Sequence, residues 1–313
     1  MKILITESEN FSPKAIAQLQ KHFEVIQHDF KSIDELIENI ADVEVLFVRL
    51  RFKLTKEILQ KATKLKYILT ATTGLDHIDV PYFESCGGQV ISLKGETDFL
   101  NSIPSTAEHT WALLLALLKR IPSSFNDVKL GNWNRDNFKG NNLSGKKIGI
   151  LGLGRVGKQV ANFAQAFGMK VGYFDTTSQI NDHKKFSNPE EMFAWADVIS
   201  IHIPYDEQNK YFVNQELLKN CRENAVLINT SRGNIWDEKF VSELLEQNKI
   251  SGIATDVLQD EFNAESLKTN PLIQLANKGY NSIITPHIAG ATYESMAMTE
   301  EFVTAKFLSI ITF

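Results

Sequence analysis

Two kinds of apolar patterning alternate along this chain. Short runs rich in Val and Ile, bounded by polar or turn residues, give way to stretches whose apolar positions recur every three or four residues. The runs read as strands buried on both faces and the longer stretches as crossover helices, the signature of doubly wound parallel α/β sheets. A first series predicts strands at Lys2 to Thr6, Phe23 to Gln27, Val43 to Val48, Tyr67 to Thr70 and Gln89 to Ser92. A second predicts strands at 147 to 151, 170 to 174, 197 to 203, 225 to 229, 251 to 256 and 282 to 285, followed by a helix over about 292 to 310.

Helix starts are marked by two S-x-x-E boxes, Ser32-Ile-Asp-Glu35 and Ser105-Thr-Ala-Glu108, in which the hydroxyl and carboxylate can satisfy each other's free backbone N–H groups. The second box opens a helix that carries the apolar run Trp111 to Leu118 and closes near Pro122. Being apolar nearly all round, it is expected to be packed on every side and to mark a domain junction. A membrane span needs about twenty apolar residues, so this run is not expected to be one. Residues 1 to 10, MKILITESEN, lack the apolar core of a signal peptide.

With 313 residues, 43% of them hydrophobic, the chain can bury the cores of about two domains. Its 33 basic and 38 acidic residues give a net charge of −5 with no basic cluster, which argues against nucleic-acid or membrane-surface partners and for small-molecule ones. The two cysteines, Cys86 and Cys221, have no CxxC spacing, so neither a disulfide framework nor a structural zinc is expected, and a reducing, cytoplasmic setting fits. His77, His109 and His202 show no HExxH-like spacing, and no metal is expected.

After the apolar stretch Lys147 to Leu151 comes Gly152-Leu-Gly154-Arg155-Val156-Gly157 and then a helical pattern through Phe167. Strand, GxGxxG and helix, in that order, suit a dinucleotide. Gly152 permits a tight turn, Gly154 a close approach of backbone to pyrophosphate, and Gly157 close helix–strand packing. The diphosphate is expected at the helix N-terminus. Asp175, 175 − 157 = 18 residues on at the end of the next strand, is placed to accept from both ribose hydroxyls and to repel a 2′-phosphate, favouring NAD over NADP.

Three further segments stand at predicted strand ends: Asn229-Thr230-Ser-Arg232-Gly233, Asp256-Val-Leu-Gln-Asp-Glu261, and Thr285-Pro-His287-Ile-Ala-Gly290. Ligands bind at strand carboxyl ends in such sheets. Arg offers a planar charged fork for a carboxylate, His exchanges a proton near neutral pH, and Glu can hold an imidazole, a set suited to redox chemistry on an α-hydroxy acid.

Together with Thr73-Gly74-Leu-Asp-His-Ile-Asp79, Ser105-Thr-Ala-Glu-His-Thr110 and His202-Ile-Pro204, these motifs resemble the D-isomer-specific 2-hydroxyacid dehydrogenase family over essentially the whole chain. The resemblance implies a Rossmann cofactor domain at 101–287, inserted into a flavodoxin-like substrate domain made of 1–100 plus 288–313. It implies NAD as cofactor, a small 2-hydroxy or 2-keto acid as substrate, possibly 3-phosphoglycerate-like, and a homodimer. Arg232 would grip the substrate carboxylate, His287 would be the acid/base and Glu261 its partner. Asp256 would hold the nicotinamide carboxamide, Thr73 and Gly74 would offer N–H groups to the carboxylate, and His202 and Pro204 would line the adenine side. Thr230 and Gly290 belong to the same cofactor motifs. Arg49 and Arg51, after a predicted strand, are candidates for a substrate phosphate.

Some positions depart from the family pattern. Trp236 stands where a small aliphatic residue is usual, Phe262 where a Pro is common, and the loop 276 to 282 looks lengthened. The regulatory domain of longer phosphoglycerate dehydrogenases is not expected after the last helix. A competing expectation from another class is an NAD(H)-sensing, corepressor-like binding protein with little turnover, since proteins of that kind keep the same motifs; the lack of basic or disordered arms weighs against it.

Overall fold

The computed structural model describes residues 1–177 and 182–311. The chain forms two compact units, Met1–Ile103 with Ala291–Phe313, and Pro104–Gly290. The changes of unit fall at 103/104 and 290/291, three residues beyond the 100/101 and 287/288 read from the sequence.

The first unit holds strands β1 (Lys2–Ile5), β2 (Glu24–Gln27), β3 (Val45–Val48), β4 (Tyr67–Thr70) and β5 (Gln89–Ile91), all parallel, in the order β2-β1-β3-β4-β5. Val45, Leu46, Phe47 and Val48 are all buried, because the central strand is covered on both faces. The helix Tyr293–Ile310 returns the chain to this unit and seats Val303 and Phe307 among Ile3, Ile5, Phe47 and Leu69. Phe302 of the same helix stacks on Phe99 with ring centroids 4.0 Å apart.

The second unit holds β6 (Lys147–Leu151), β7 (Lys170–Phe174), β8 (Lys184–Lys185), β9 (Val198–Ile201), β10 (Ala225–Asn229), β11 (Ile250–Thr255) and β12 (Ser282–Ile284). They form one parallel sheet in the order β12-β11-β10-β9-β6-β7-β8. The order reverses at β6, which has β7 on one side and β9 on the other, and ligands of such sheets bind beyond the strand ends at this kind of reversal. Side chains alternate across the sheet: Val226 and Ile228 join a core with Leu114, Ile148 and Val160, while Leu227 joins one with Phe193, Ile199 and Trp236. Each such fully buried aliphatic side chain contributes roughly 1.5–3 kcal/mol.

Several local expectations differ from the structure. β8 was not foreseen, since two exposed lysines carry no apolar signal. The helix Ser105–Leu118 starts one residue early: Pro104, already at φ −91° and ψ −15°, takes the cap position, so the Ser105 hydroxyl caps nothing. Pro122 does not close that helix but sits in the first turn of the next, Ile121–Lys129. In the first box Ser32 accepts from the Glu35 N–H as expected, whereas the Glu35 carboxylate turns to the Lys31 N–H. The 276–282 loop is not long, because a helix runs from Pro271 to Asn277 and Gly279, at φ +83°, turns the chain into β12.

Because Phe307 is fully buried against the first sheet, Phe307→Ala is expected to lower the unfolding free energy of the protein by about 3–5 kcal/mol. Urea denaturation checks this. A loss under about 1 kcal/mol would show that the last helix is not integral to the first unit's core.

Candidate active site

The reversal of strand order at β6 sets the first part of the site. Gly152 follows β6 at φ +92°, and a Cβ there would stand 2.9 Å from the His202 carbonyl, so the β6 and β9 loops touch only because this residue is glycine. A Cβ on Gly157 would lie 2.2 Å from the Gly152 carbonyl oxygen, which seats the helix Arg155–Ala166 directly on the turn. Gly154 is different. It is exposed, it is the helix's N-cap without a capping side chain, and a Cβ there would meet nothing within 4 Å.

Asp175 stands beside the glycine motif, just past β7. One carboxylate oxygen accepts from the Leu153 N–H at 2.7 Å and the other from the Thr177 N–H at 2.8 Å, which fixes the carboxylate beside the glycine turn. A dinucleotide fits these groups: open space over a helix N-terminus for a diphosphate and an anchored carboxylate where a ribose diol would lie. Arg155 and Val156 are half-buried in the first helical turn, where burial lowers the Arg155 pKa. His202 donates its backbone N–H to Leu151 and pairs its Nε2 with the Ser200 hydroxyl at 2.7 Å. Burial pushes its pKa down to about 3, so the ring is neutral at physiological pH. Pro204 is exposed, and the Thr230 hydroxyl bonds that of Thr110 at 2.7 Å.

The second part lies at the ends of three neighbouring strands. Asn229, Thr255 and Ile284 are aligned across β10, β11 and β12, so the loops carrying Arg232, Asp256 and His287 leave one edge of the sheet side by side. Asp256 is only 1% exposed. Its Oδ1 accepts from the Thr285 hydroxyl at 2.6 Å and the Ile288 N–H at 2.9 Å, and its Oδ2 accepts from the Ala289 N–H at 2.7 Å. His109 Nε2 lies 3.4 Å from Oδ1 and 3.0 Å from the Thr285 hydroxyl. Burial alone would raise the Asp256 pKa, but the donors from His109, Thr285, Ile288 and Ala289 outweigh it and hold the carboxyl below its usual value.

Asp256 therefore shapes the 285–289 loop. The loop holds His287 at φ +55°, a left-handed conformation that a non-glycine residue adopts only when its surroundings impose it. Here the Asp256 carbonyl accepts from the His287 N–H at 2.8 Å. From that position His287 Nδ1 meets Glu261 Oε1 at 2.5 Å, with the two side chains 22% and 20% exposed. The other Glu261 oxygen accepts from the Leu258 N–H at 3.2 Å.

Arg232 joins through its neighbour. A Cβ on Gly233 would stand 2.1–2.4 Å from atoms of the Leu258–Gln259 peptide, so the Arg232 loop rests directly on the loop that carries Glu261. The Asn229 side chain donates to the Arg232 carbonyl at 3.0 Å, and Arg232 Nη1 donates to the Ser231 carbonyl. Glu261, His287 and the loop of Arg232 are thus brought together, with His109, Asn229 and Gly233 as supports whose part was not read from the sequence. Both carboxylate oxygens of Asp256 are engaged by the 285–289 loop. Gly290 is exposed at the end of that loop.

Thr73 and Gly74 lie in the first unit, on the loop after β4, where the Thr72 hydroxyl donates to the Gly74 carbonyl. The Arg49 guanidinium is held within the same unit: Nε and Nη2 both donate to Glu300 Oε1, at 2.9 and 2.6 Å, and Nη1 donates to the Glu9 carbonyl. Arg51 donates to Asp29 and to the Phe30 carbonyl. Trp236 is fully buried in the core, and its carbonyl accepts from the Gln259 side chain.

Comparison with known proteins matches residues 111–289 to the family model described as D-isomer specific 2-hydroxyacid dehydrogenase, NAD binding domain. A D-3-phosphoglycerate dehydrogenase from Methanocaldococcus jannaschii is 34% identical over 94% of this chain and 54% of its own length. A hydroxypyruvate reductase from Thermotoga maritima is 32% identical over 84% of this chain and 83% of its own. Among solved structures, D-lactate dehydrogenase from Aquifex aeolicus complexed with NAD and lactic acid aligns with a TM-score of 0.78 and 28% identity, covering 98% of this chain and 95% of that one. This chain spans about half the length of the phosphoglycerate dehydrogenases it matches. A glycine turn at the strand-order reversal, a Glu–His pair braced by a buried aspartate, and a match over more than half the chain lead to one assignment: the protein belongs to the D-isomer specific 2-hydroxyacid dehydrogenase family.

Proposed function

We propose that this chain is an NAD-dependent dehydrogenase of small D-2-hydroxy acids, with Arg232, Glu261 and His287 as its catalytic residues. The observation that carries this is the 2.5 Å contact between Glu261 and His287 Nδ1, on a loop packed against that of Arg232. Glu261 accepts at Nδ1, so that nitrogen carries the proton and Nε2 is left to face a substrate hydroxyl. In oxidation Nε2 takes the hydroxyl proton, and in reduction the imidazolium returns it. Bound NAD supplies hydride exchange at its nicotinamide C4. Arg232 holds the substrate carboxylate with a planar fork that a point charge does not reproduce. Asp175 sets NAD above NADP, and the amide groups at the start of the Arg155–Ala166 helix take the diphosphate.

The first unit bears on the substrate class. Both arginines that could meet a phosphate are held by Glu300, the Glu9 carbonyl, Asp29 and the Phe30 carbonyl, which favours an unphosphorylated 2-keto acid such as the hydroxypyruvate or glyoxylate named for relatives in Thermotoga maritima and Thermofilum pendens. A sensor role gains no support from relatives that are named as dehydrogenases and reductases. Among the described residues no helix is long and apolar enough to cross a membrane, and both cysteines are free, which suits a cytoplasmic enzyme.

We also propose a homodimer. The helix Ile121–Lys129 buries none of its residues, and Phe125, Leu130 and Trp133 on and after it are 62%, 80% and 88% exposed, an apolar surface a second copy would cover. Sedimentation should give a particle of twice 35.4 kDa that Trp133→Glu weakens; a monomer at micromolar concentration overturns it.

Purified protein is expected to oxidise NADH with hydroxypyruvate, glyoxylate or pyruvate, and less readily with phosphohydroxypyruvate. No oxidation with any of them refutes the assignment. His287→Ala is expected to lower kcat by about 10²–10⁴ while NADH affinity persists, as followed by stopped-flow and fluorescence titration; unchanged turnover would remove His287 from the mechanism. Since the Gly154 Cβ would occupy open space, Gly154→Ala should leave thermal stability within about 0.5 kcal/mol yet weaken NADH binding by about tenfold or more. Unaltered NADH affinity would place the diphosphate elsewhere.

A further inference from the structure

A buried polar cluster lies behind the Glu261 loop, outside the groups assigned so far. Glu238, 3% exposed, is the first residue of the helix Glu238–Glu246, whose N-cap is Asp237. One of its oxygens accepts from the Gln259 backbone N–H at 2.7 Å and the other from the Asn270 side-chain amide at 2.6 Å. Gln259 is held a second time, by its own side chain, which donates to the Trp236 carbonyl at 2.8 Å. The next residue, Asp260, turns the chain at φ +51°, and Glu261 follows.

The polarity of this cluster is set by Asn270. Its Oδ1 caps the helix Pro271–Asn277 by accepting from the Leu272 and Ile273 N–H groups, so its NH2 end must face Glu238. Glu238 then receives a donor on each oxygen. Two donors facing the carboxylate suit its charged form.

We propose that Glu238 is the positioning residue of the Glu261 loop: its carboxylate fixes the Leu258–Gln259 peptide, and through that peptide the carboxylate that stands behind His287. The peptide is the same one on which Gly233 rests, so Glu238 also sets the floor under the Arg232 loop. Burial pushes the Glu238 carboxyl up to about 7 against the pull of the Gln259 N–H and the Asn270 amide, and the charge of Asp260 adds to the rise. Protonation near neutrality removes a charge-assisted hydrogen bond from the loop. Acidification through this range therefore loosens the positioning of Glu261.

The proposal rests on the dehydrogenase role of His287, and its test separates the two. Glu238→Gln turns an amide donor toward the Asn270 amide; pairing it with Asn270→Asp reverses donor and acceptor and restores both the contact and the helix cap. Expected for Glu238→Gln is a fall in kcat of roughly ten- to a hundredfold with NADH affinity within twofold of wild type. Hydrogen exchange at the Gln259 amide should rise by about tenfold or more. In the reducing direction the wild-type decline of kcat on the acid side of about pH 7 should vanish in the variant. The double variant should recover kcat and protection to within about threefold and remain flat on the acid side. Wild-type kcat and protection in Glu238→Gln, or no recovery in the double variant while its NADH affinity is normal, would overturn the proposal. If the wild-type chain reduces no 2-keto acid, the dehydrogenase role is what has failed, and the exchange rates alone decide whether Glu238 holds the loop.

Discussion

One buried carboxylate organises the loop that carries His287. Asp256 leaves the end of β11 almost without solvent contact and gathers donors from Thr285, Ile288 and Ala289, with His109 alongside. A buried charge is costly unless its lone pairs are filled. Here they are filled so well that the carboxyl stays below its ordinary value despite burial. The sign follows: a depressed folded value stabilises the native state above the unfolded carboxyl pKa, and the contribution is lost as pH falls through the folded one. At neutral pH the full stabilisation is present, and it holds the left-handed backbone of His287, a conformation costing about 1–3 kcal/mol that the loop would not adopt alone.

Around that anchor the fold repeats one device, a glycine that lets two strand-end loops touch. Gly152 brings the β6 turn against His202, and Gly233 brings the Arg232 loop against the Leu258–Gln259 peptide. Since β6, β9, β10, β11 and β12 are parallel neighbours in one sheet, both contacts lie on the same edge, and the dinucleotide turn and the Glu–His pair belong to one surface of one unit. Gly154 stands apart because its missing side chain leaves room for nothing within the protein itself.

Much of this was legible in the sequence, for reasons that can be stated residue by residue. Strands such as Val45–Val48 and Val198–Ile201 announce themselves because a strand covered on both faces must be apolar throughout. Gly152, Asp175, Glu261 and His287 stand out in the sequence because they lie at or shortly past strand ends. The rest depended on partners far away in the chain. Arg49 reads as an available cation until Glu300, 251 residues later, is seen to occupy it. Glu238 reads as an ordinary solvated residue at a helix start, and only the meeting of Gln259 and Asn270 around it makes it a buried carboxylate. Trp236 drew notice as a bulky departure, yet its indole is core and its carbonyl is what matters. Lys184–Lys185 had no signal because an edge strand of two exposed residues needs none.

The claim on which the rest depends is that the Asp256 carboxylate holds His287 in working position against Glu261. Asp256→Asn keeps the shape and replaces one acceptor by a donor facing a backbone N–H. With circular dichroism confirming the fold, steady-state reduction of a 2-keto acid by NADH is predicted to fall by about a hundredfold or more in this variant relative to wild type. Turnover equal to wild type in the folded variant would contradict the account.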